Sequence, residues 1–437
     1  SNRYGKMSMN YKQLTLATLL SSSALLLVGC SSDVDSKGEP PSAEAIAVGN
    51  GDDNAGPAAQ LKPVGSRIDV AIAPLAVEET GNVATLPAQY PEDWILVDEV
   101  SFASMFGGKI IILDSSESKP EHRIKGIMDK SLIGNFTQHP TRPELYIMES
   151  FHERGSRGKR TDVLAIYDKT TLNIIKEIVW TETTRLQALP ERYSMAVSGN
   201  GEFLYVANFS PAASFTVVDL ERQESIATVS TPGCVLTYPT GKNSVTSICS
   251  NGGLLTSVLN NDGTLRSQQR IKSFFHSDTS PIFERPAIID GIAYFPSFDG
   301  EMHEVDMRDD VAKYLGSWDM LSEEERAANW RPSGLSLTSK DSLGRFYTIM
   351  QPDGHEGSHQ HGGTHVWLFD AKAKKRVKII ETPNWAISIG VTQGNNPKLI
   401  VTNGELALDV YSTEDGSLIH TMSDFGSTTP LLIHKSY

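Results

Sequence analysis

Val163-Leu-Ala-Ile-Tyr-Asp168, then the polar turn Lys169-Thr-Thr171, then Leu172-Asn-Ile-Ile-Lys-Glu-Ile-Val179: this stretch decides the fold. A short run of β-branched and aromatic residues ends on an aspartate, turns, and gives way to a second apolar run. The first half of that pattern recurs at Lys109-Ile-Ile-Ile-Leu-Asp114, Phe215-Thr-Val-Val-Asp219, Met302-His-Glu-Val-Asp306 and Val366-Trp-Leu-Phe-Asp370. The copies stand about 50 to 65 residues apart, with one longer gap that has room for a further copy, and such a period marks a β-propeller. Each blade of a propeller buries its faces only by stacking on its neighbours.

Working outward, Tyr90 to Met128 forms a first blade and Leu132 to Asp168 opens a second. The third opens with Met195-Ala-Val-Ser-Gly-Asn-Gly-Glu-Phe-Leu-Tyr-Val-Ala-Asn208, two strands around a hairpin turn. Cys234 to Ile271 makes a fourth, Ala287 to Asp306 a fifth, Leu335 to Ile380 a sixth with a long insertion, and Ala386 to Met422 a seventh. Thr429-Pro-Leu-Leu-Ile-His434 is left over as a strand that can complete another blade and close the ring, removing edge strands that would otherwise aggregate. The expected fold is all-β, a seven-bladed propeller over residues 85–437, with eight blades as the alternative count. One helix interrupts the strands: Ser322 caps it with Glu325 reaching back, and Pro332 and Gly334 are expected to stop it.

Residues 1–6 read poorly as native sequence. Lys12, the apolar run Leu14 to Val28 and then Gly29-Cys30 follow the order of a lipoprotein signal, so residues 1–29 are expected to be a signal peptide and Cys30 to carry lipid. The apolar run is too short for a membrane span, so the membrane enters only through that anchor. Residues 30–84, rich in Ser, Gly, Pro and acidic side chains, read as a flexible linker. These features place the chain in the periplasm.

Acidic residues outnumber basic ones by 53 to 39, a net charge of −14. Nucleic-acid binding is excluded on that ground, since contact with phosphates needs a basic surface. Of three cysteines, Cys30 is assigned to lipid, which leaves Cys234 and Cys249 as a disulfide pair in an exported chain. A metal site built on those two would need further ligands, and none lies close by in sequence.

The densest set of potential ligands is His355-Glu-Gly-Ser-His359-Gln-His361-Gly-Gly-Thr-His365, where His355, His359, His361 and His365 are weak candidates for zinc or copper. A loop lacks the fixed spacing of a helical metal motif, and a polar surface loop is the plainer reading. The basic stretches Arg154-Gly-Ser-Arg-Gly-Lys-Arg160 and Lys372-Ala-Lys-Lys-Arg-Val-Lys378 read as solvated hairpin tips. No nucleophile elbow, nucleotide loop or haem-attachment motif occurs, so no catalytic residues are assigned. Residues alone thus lead to a lipid-tethered propeller whose work is binding or scaffolding.

Several local stretches are more specific. Arg157-Gly-Lys-Arg-Thr-Asp-Val163 with Tyr167-Asp-Lys-Thr-Thr-Leu172 resembles the second blade of amine dehydrogenase heavy chains. Leu321-Ser-Glu-Glu-Glu-Arg-Ala-Ala-Asn-Trp-Arg-Pro-Ser-Gly334 is similar to that family's inter-blade helix. The surroundings of Cys234 and Cys249 resemble the family's cysteine pair, and Glu356-Gly-Ser-His359 ahead of Val366-Trp-Leu-Phe-Asp-Ala-Lys372 is similar to its aromatic-amine branch. The resemblance runs from about Ala84 to the C-terminus.

It implies a disc of which two copies join two light chains in a periplasmic heterotetramer. The light chain carries the cofactor, tryptophan tryptophylquinone, and this chain would carry none. The complex oxidatively deaminates primary amines to aldehyde and ammonia and passes electrons to a cupredoxin or c-type cytochrome. The family places a phenylalanine of the first blade at the mouth of the substrate channel, and Val100-Ser-Phe102-Ala-Ser-Met105 matches, so Phe102 is the expected channel residue. Heavy chains of this group are usually soluble, and a lipid on Cys30 would be a departure. The alternative is a stand-alone binding lipoprotein on the same fold. A metal-dependent enzyme built on the histidine loop is a third.

Overall fold

The computed structural model describes residues 85–102, 107–131, 133–187, 189–426 and 428–436. The expected signal at 1–29 and the linker from 30 to 84, Cys30 included, lie outside them. Seven antiparallel sheets follow one another along the described chain, so the count is seven rather than eight. Blade 2 shows the plan: Asn135–Gln138, Glu144–Arg154, Arg157–Asp168 and Ile174–Trp180 pair in that order. The first strand is the innermost, touching the first strands of neighbouring blades as Ser388–Val391 touches Thr429–Lys435. The fourth strand forms the exposed rim, as Leu265–Ile271 does in blade 4.

Blade 1 is assembled from both ends of the described chain. Trp94–Val100, Gly107–Asp114 and Ile124–Ser131 supply three strands, and Thr429–Lys435 pairs antiparallel with Trp94–Val100 as the innermost fourth. The leftover strand of the sequence therefore closes the ring. In blades 3 and 6 the first strand is split, into Thr184–Arg185 with Met195–Val197 and Arg331–Pro332 with Thr338–Lys340.

The stretch at 163–168 is apolar throughout because both faces of its sheet are covered. Side chains alternate along a strand. Leu164 and Ile166 enter the core shared with blade 3, beside Leu204, Val206 and Val218. Ala165 and Tyr167 enter the core shared with blade 1, beside Leu96, Ile110 and Ile112. An outer face in water would have alternated polar residues into the run.

The terminal aspartates make the turns. Asp168 Oδ1 accepts the main-chain amides of Thr170 at 2.8 Å and Thr171 at 2.9 Å, and the Thr170 hydroxyl at 2.6 Å. Asp114, Asp219, Asp306 and Asp370 accept amides two or three residues ahead in the same way. An aspartate that bonds the chain just beyond it fixes the bend between third and fourth strands. In blade 7 the Ser412 hydroxyl does this for Glu414. The long gap in the repeat holds blade 4, where Asp262 accepts the Thr264 amide instead.

Because the strands alternate in direction, turns between third and fourth strands all lie on one face of the disc. Connections between second and third strands, and from each blade to the next, lie on the other. The helix on that second face, Glu323–Ala327, has the expected capping box of Ser322 and Glu325. It stops earlier than Pro332 and Gly334 would require: Asn329 takes a left-handed φ of 55°, and Arg331–Pro332 is already a strand. Cys234 and Cys249 face each other across the first two strands of blade 4 and form the expected disulfide, at the same face.

Burial pushes the Asp168 carboxyl up, but the hydroxyl and amide donors of Thr170 and Thr171 outweigh it and hold the group below its usual range. A group whose folded pKa is depressed adds stability above its unfolded value, near 3.9, and loses it as pH falls. The stability gap between the protein and its Asp168→Asn variant, read by urea unfolding, should therefore be present at neutral pH and close below about pH 4. A gap independent of pH would show that the charge plays no part.

Candidate functional site

The second face gathers most of the candidates. Phe102 lies there, half-buried, two residues beyond the end of Trp94–Val100 and next to residues that are not described. Beside it in blade 2, Glu144–Arg154 and Arg157–Asp168 run to 11 and 12 residues. Their counterparts in other blades have 8 or fewer. The extra length carries the hairpin past the rest of the face. The basic stretch at 154–160 is thus its exposed tip, as expected, although the strand starts at Arg157.

Between blades 1 and 2 the hairpin overhangs a cavity of about 380 Å³ lined by Asp129, Lys130, Glu149, Phe151 and His152 among others. Charged groups are buried beneath it. Lys130 Nζ stands 2.7 Å from Asp98 Oδ1 with both side chains fully buried, and donates to the Gly134 carbonyl at 2.8 Å. Burial raises the Asp98 carboxyl above its usual range, against the pull of Lys130. Burial raises Glu149 too, although its Oε1 accepts the Ser131 amide at 2.8 Å.

A second network braces the root of the hairpin. Arg160 binds Asp162 with both prongs, Nε to Oδ1 at 2.7 Å and Nη2 to Oδ2 at 3.0 Å. Asp162 also accepts the Ser150 hydroxyl at 2.6 Å and the Arg185 amide at 2.9 Å, and Arg185 Nε donates to Ser150 Oγ at 2.8 Å. Bidentate charge-assisted bonds of this kind fix geometry as well as energy. The hairpin is therefore held at its base, with its tip exposed.

Two exposed aromatics on this face escaped the sequence reading. Phe151 on the hairpin is 44% exposed, and Phe209, at the end of blade 3's second strand Phe203–Ser210, is 63% exposed. Single exposed aromatics are ordinary on protein surfaces; what sets these two apart is that both stand on the face of the variable connections. Their position two to four residues before a turn at the end of a second strand was the available signal.

The four histidines do not converge. His355 and His361 are exposed, with ring centres 5.9 Å apart. His359 packs edge-on against Phe298 at 6.3 Å, and His365 against Trp330 at 4.9 Å. Burial lowers the affinity of His359 and His365 for a proton. Among the described residues no group of three or more His, Cys, Asp or Glu side chains is placed to hold a metal ion.

Residues 116–435, from just past the first aspartate turn to the closing strand, match the family model described as methylamine dehydrogenase heavy chain (MADH). The chain belongs to this family. A protein from Methylorubrum extorquens named methylamine dehydrogenase heavy chain is 25% identical over 63% of this chain and 68% of its own. A protein of the same name from Methylophilus methylotrophus is 21% identical over 82% of this chain and 86% of its own. Another, from Paracoccus versutus, is 25% identical over 70% and 71%. The second face described above is accordingly that of an MADH-family heavy chain.

The buried pair under the hairpin is testable directly. Lys130→Met leaves the Asp98 carboxyl buried without its cation, a change that costs about 3–5 kcal/mol. Urea unfolding should show a loss of that order, with part of it recovered in the Asp98→Asn, Lys130→Met double variant. A loss no larger than that of an exposed lysine would contradict the arrangement.

Proposed function

We propose that this chain is the heavy subunit of a periplasmic amine dehydrogenase, holding a light chain against its second face and helping to form the entrance for substrate. The family match over 116–435 carries this reading. With curated relatives at 21% to 25% identity, the substrate is kept to primary amines as a class. The light chain would bear tryptophan tryptophylquinone, which supplies the oxidation of amine to aldehyde and ammonia. Electrons would leave to a cupredoxin or c-type cytochrome, and two heavy and two light chains would make the complex.

The part left to this chain is binding and shape. Phe102, Phe151 and Phe209 offer apolar area for a partner at one face, while the braced hairpin of blade 2 sets a wall beside Phe102. Phe102 would line the channel mouth, where a methylene more or less of apolar contact separates one amine from another by about 1–3 kcal/mol. Steady-state rates of the complex with Phe102→Ala should show an altered ratio of kcat/KM between a small aliphatic and an aromatic amine. An unchanged ratio removes Phe102 from the channel.

Lipid on Cys30 would tether the complex to a membrane through the 30–84 linker. Fractionation of cells should then find the protein with membranes and the Cys30→Ala variant in the soluble fraction. Equal distribution of the two would contradict the anchor.

A further inference from the structure

The cavity beneath the blade 2 hairpin has an interior that the subunit role leaves unassigned. Side chains alternate along a strand, and on Glu144–Arg154 the odd-numbered ones face blade 1. Leu145 and Ile147 enter the core shared with that blade, beside Leu96, Ile110 and Met128. Glu149 and Phe151 continue the same row past the end of the core, and both line the cavity. The direction of Glu149 is fixed by its bond across the gap, where Oε1 accepts the Ser131 amide of blade 1 at 2.8 Å.

Glu149 is 5% exposed, and no donor among the described residues reaches its Oε2. The other acid and the lysine of the lining are answered: Lys130 stands 2.7 Å from Asp98 and donates to the Gly134 carbonyl, and Asp129 binds Lys109 at 2.6 Å. Glu149 itself makes no ion pair among the described residues. Lys130 and Arg185 act on it from beyond contact distance, Arg185 from the other side of the strand, where its Nε binds Ser150 Oγ at 2.8 Å. Glu177, on the rim strand of the same blade, adds a like charge. Residues 103–106 and 132 of blade 1, which are not described, include no basic side chain. A carboxylate buried this far is normally met by a cation or by a full set of donors.

We propose that this cavity binds a small primary alkylammonium, with the ammonium at Glu149 and the carbon stem against Phe151. An ammonium group carries three N–H donors. Glu149 Oε2 takes one, and the Ser131 hydroxyl, which accepts the Ser150 amide at 2.9 Å, has a second lone pair for another. Phe151, 44% exposed, supplies aromatic surface that favours a cation over a neutral group of the same shape. At about 380 Å³ the cavity has the size of a small-molecule site. Binding rests on this chain alone, while its meaning as a place for the substrate amine rests on the subunit reading above.

Titration of the full chain with n-butylammonium chloride in a calorimeter tests this. One saturable site per chain is expected, absent for n-butanol, weakened at least about tenfold by Glu149→Gln and unchanged by Glu323→Gln on the helix between blades 5 and 6. Phe151→Ala should weaken n-butylammonium more than methylammonium, since only the longer ion has a stem to lay on the ring. In the complex with the light chain, its quinone reduced beforehand, the uptake that depends on Glu149 should persist. Its loss on assembly would give the cavity to a side chain of the partner and overturn the assignment to amine. No saturable uptake by the chain alone, or equal uptake by a Glu149→Gln variant that remains folded by circular dichroism, overturns the proposal whether or not a light chain exists.

Discussion

Everything in this molecule depends on one strand pairing. Thr429–Lys435 lies against Trp94–Val100, joining the last described residues to the first blade. Without it, blade 1 would present three strands and an open inner edge, and the core that Ile95, Val97 and Ile111 share with Ile400, Val410 and Ile433 would lose a wall. Propeller blades have no core of their own, so the closure is felt around the whole circle. It also brings Gln138 and Arg192 to the carbonyls of the closing strand, coupling blades 2 and 3 to the seam.

The closed ring divides its work between two faces. One carries the aspartate turns, which are short, repeated and concerned with bending the chain. The other carries what varies from blade to blade: the segment around Phe102, the overhanging hairpin of blade 2, the exposed Phe209, the disulfide end of blade 4, the helix Glu323–Ala327 and the histidine loop. Variable connections on a rigid support are where binding is built. A face of this kind, in a chain of the MADH heavy chain family, fits a subunit that holds another chain rather than one that does chemistry alone.

Much of the architecture was legible because its causes are local. The apolar run at 163–168 and its aspartate announce a strand buried on both faces and the turn that follows, and Ser322 with Glu325 announces a helix start. Blade 4 was harder to see because Asp262 sits inside its turn instead of ending the strand. The helix end was misplaced for a similar reason: Asn329 stops it by adopting a left-handed conformation, a weaker signal than Pro332. The Lys130–Asp98 pair could not be read at all. Lys130 belongs to the rim strand of blade 1 and Asp98 to its second strand, two strands inward, and only the register of the sheet brings the lysine to it.

The central claim is that this ring is one half of an oxidoreductase whose reactive group sits in a second chain. Purifying the protein from its native cells and recording its subunits by native mass spectrometry, together with the absorbance spectrum, tests that claim most directly. The account predicts equal numbers of this chain and a small, disulfide-rich subunit, with quinone absorbance that primary amines bleach. A protein that purifies as a lone chain, with no partner and no quinone band, would contradict it.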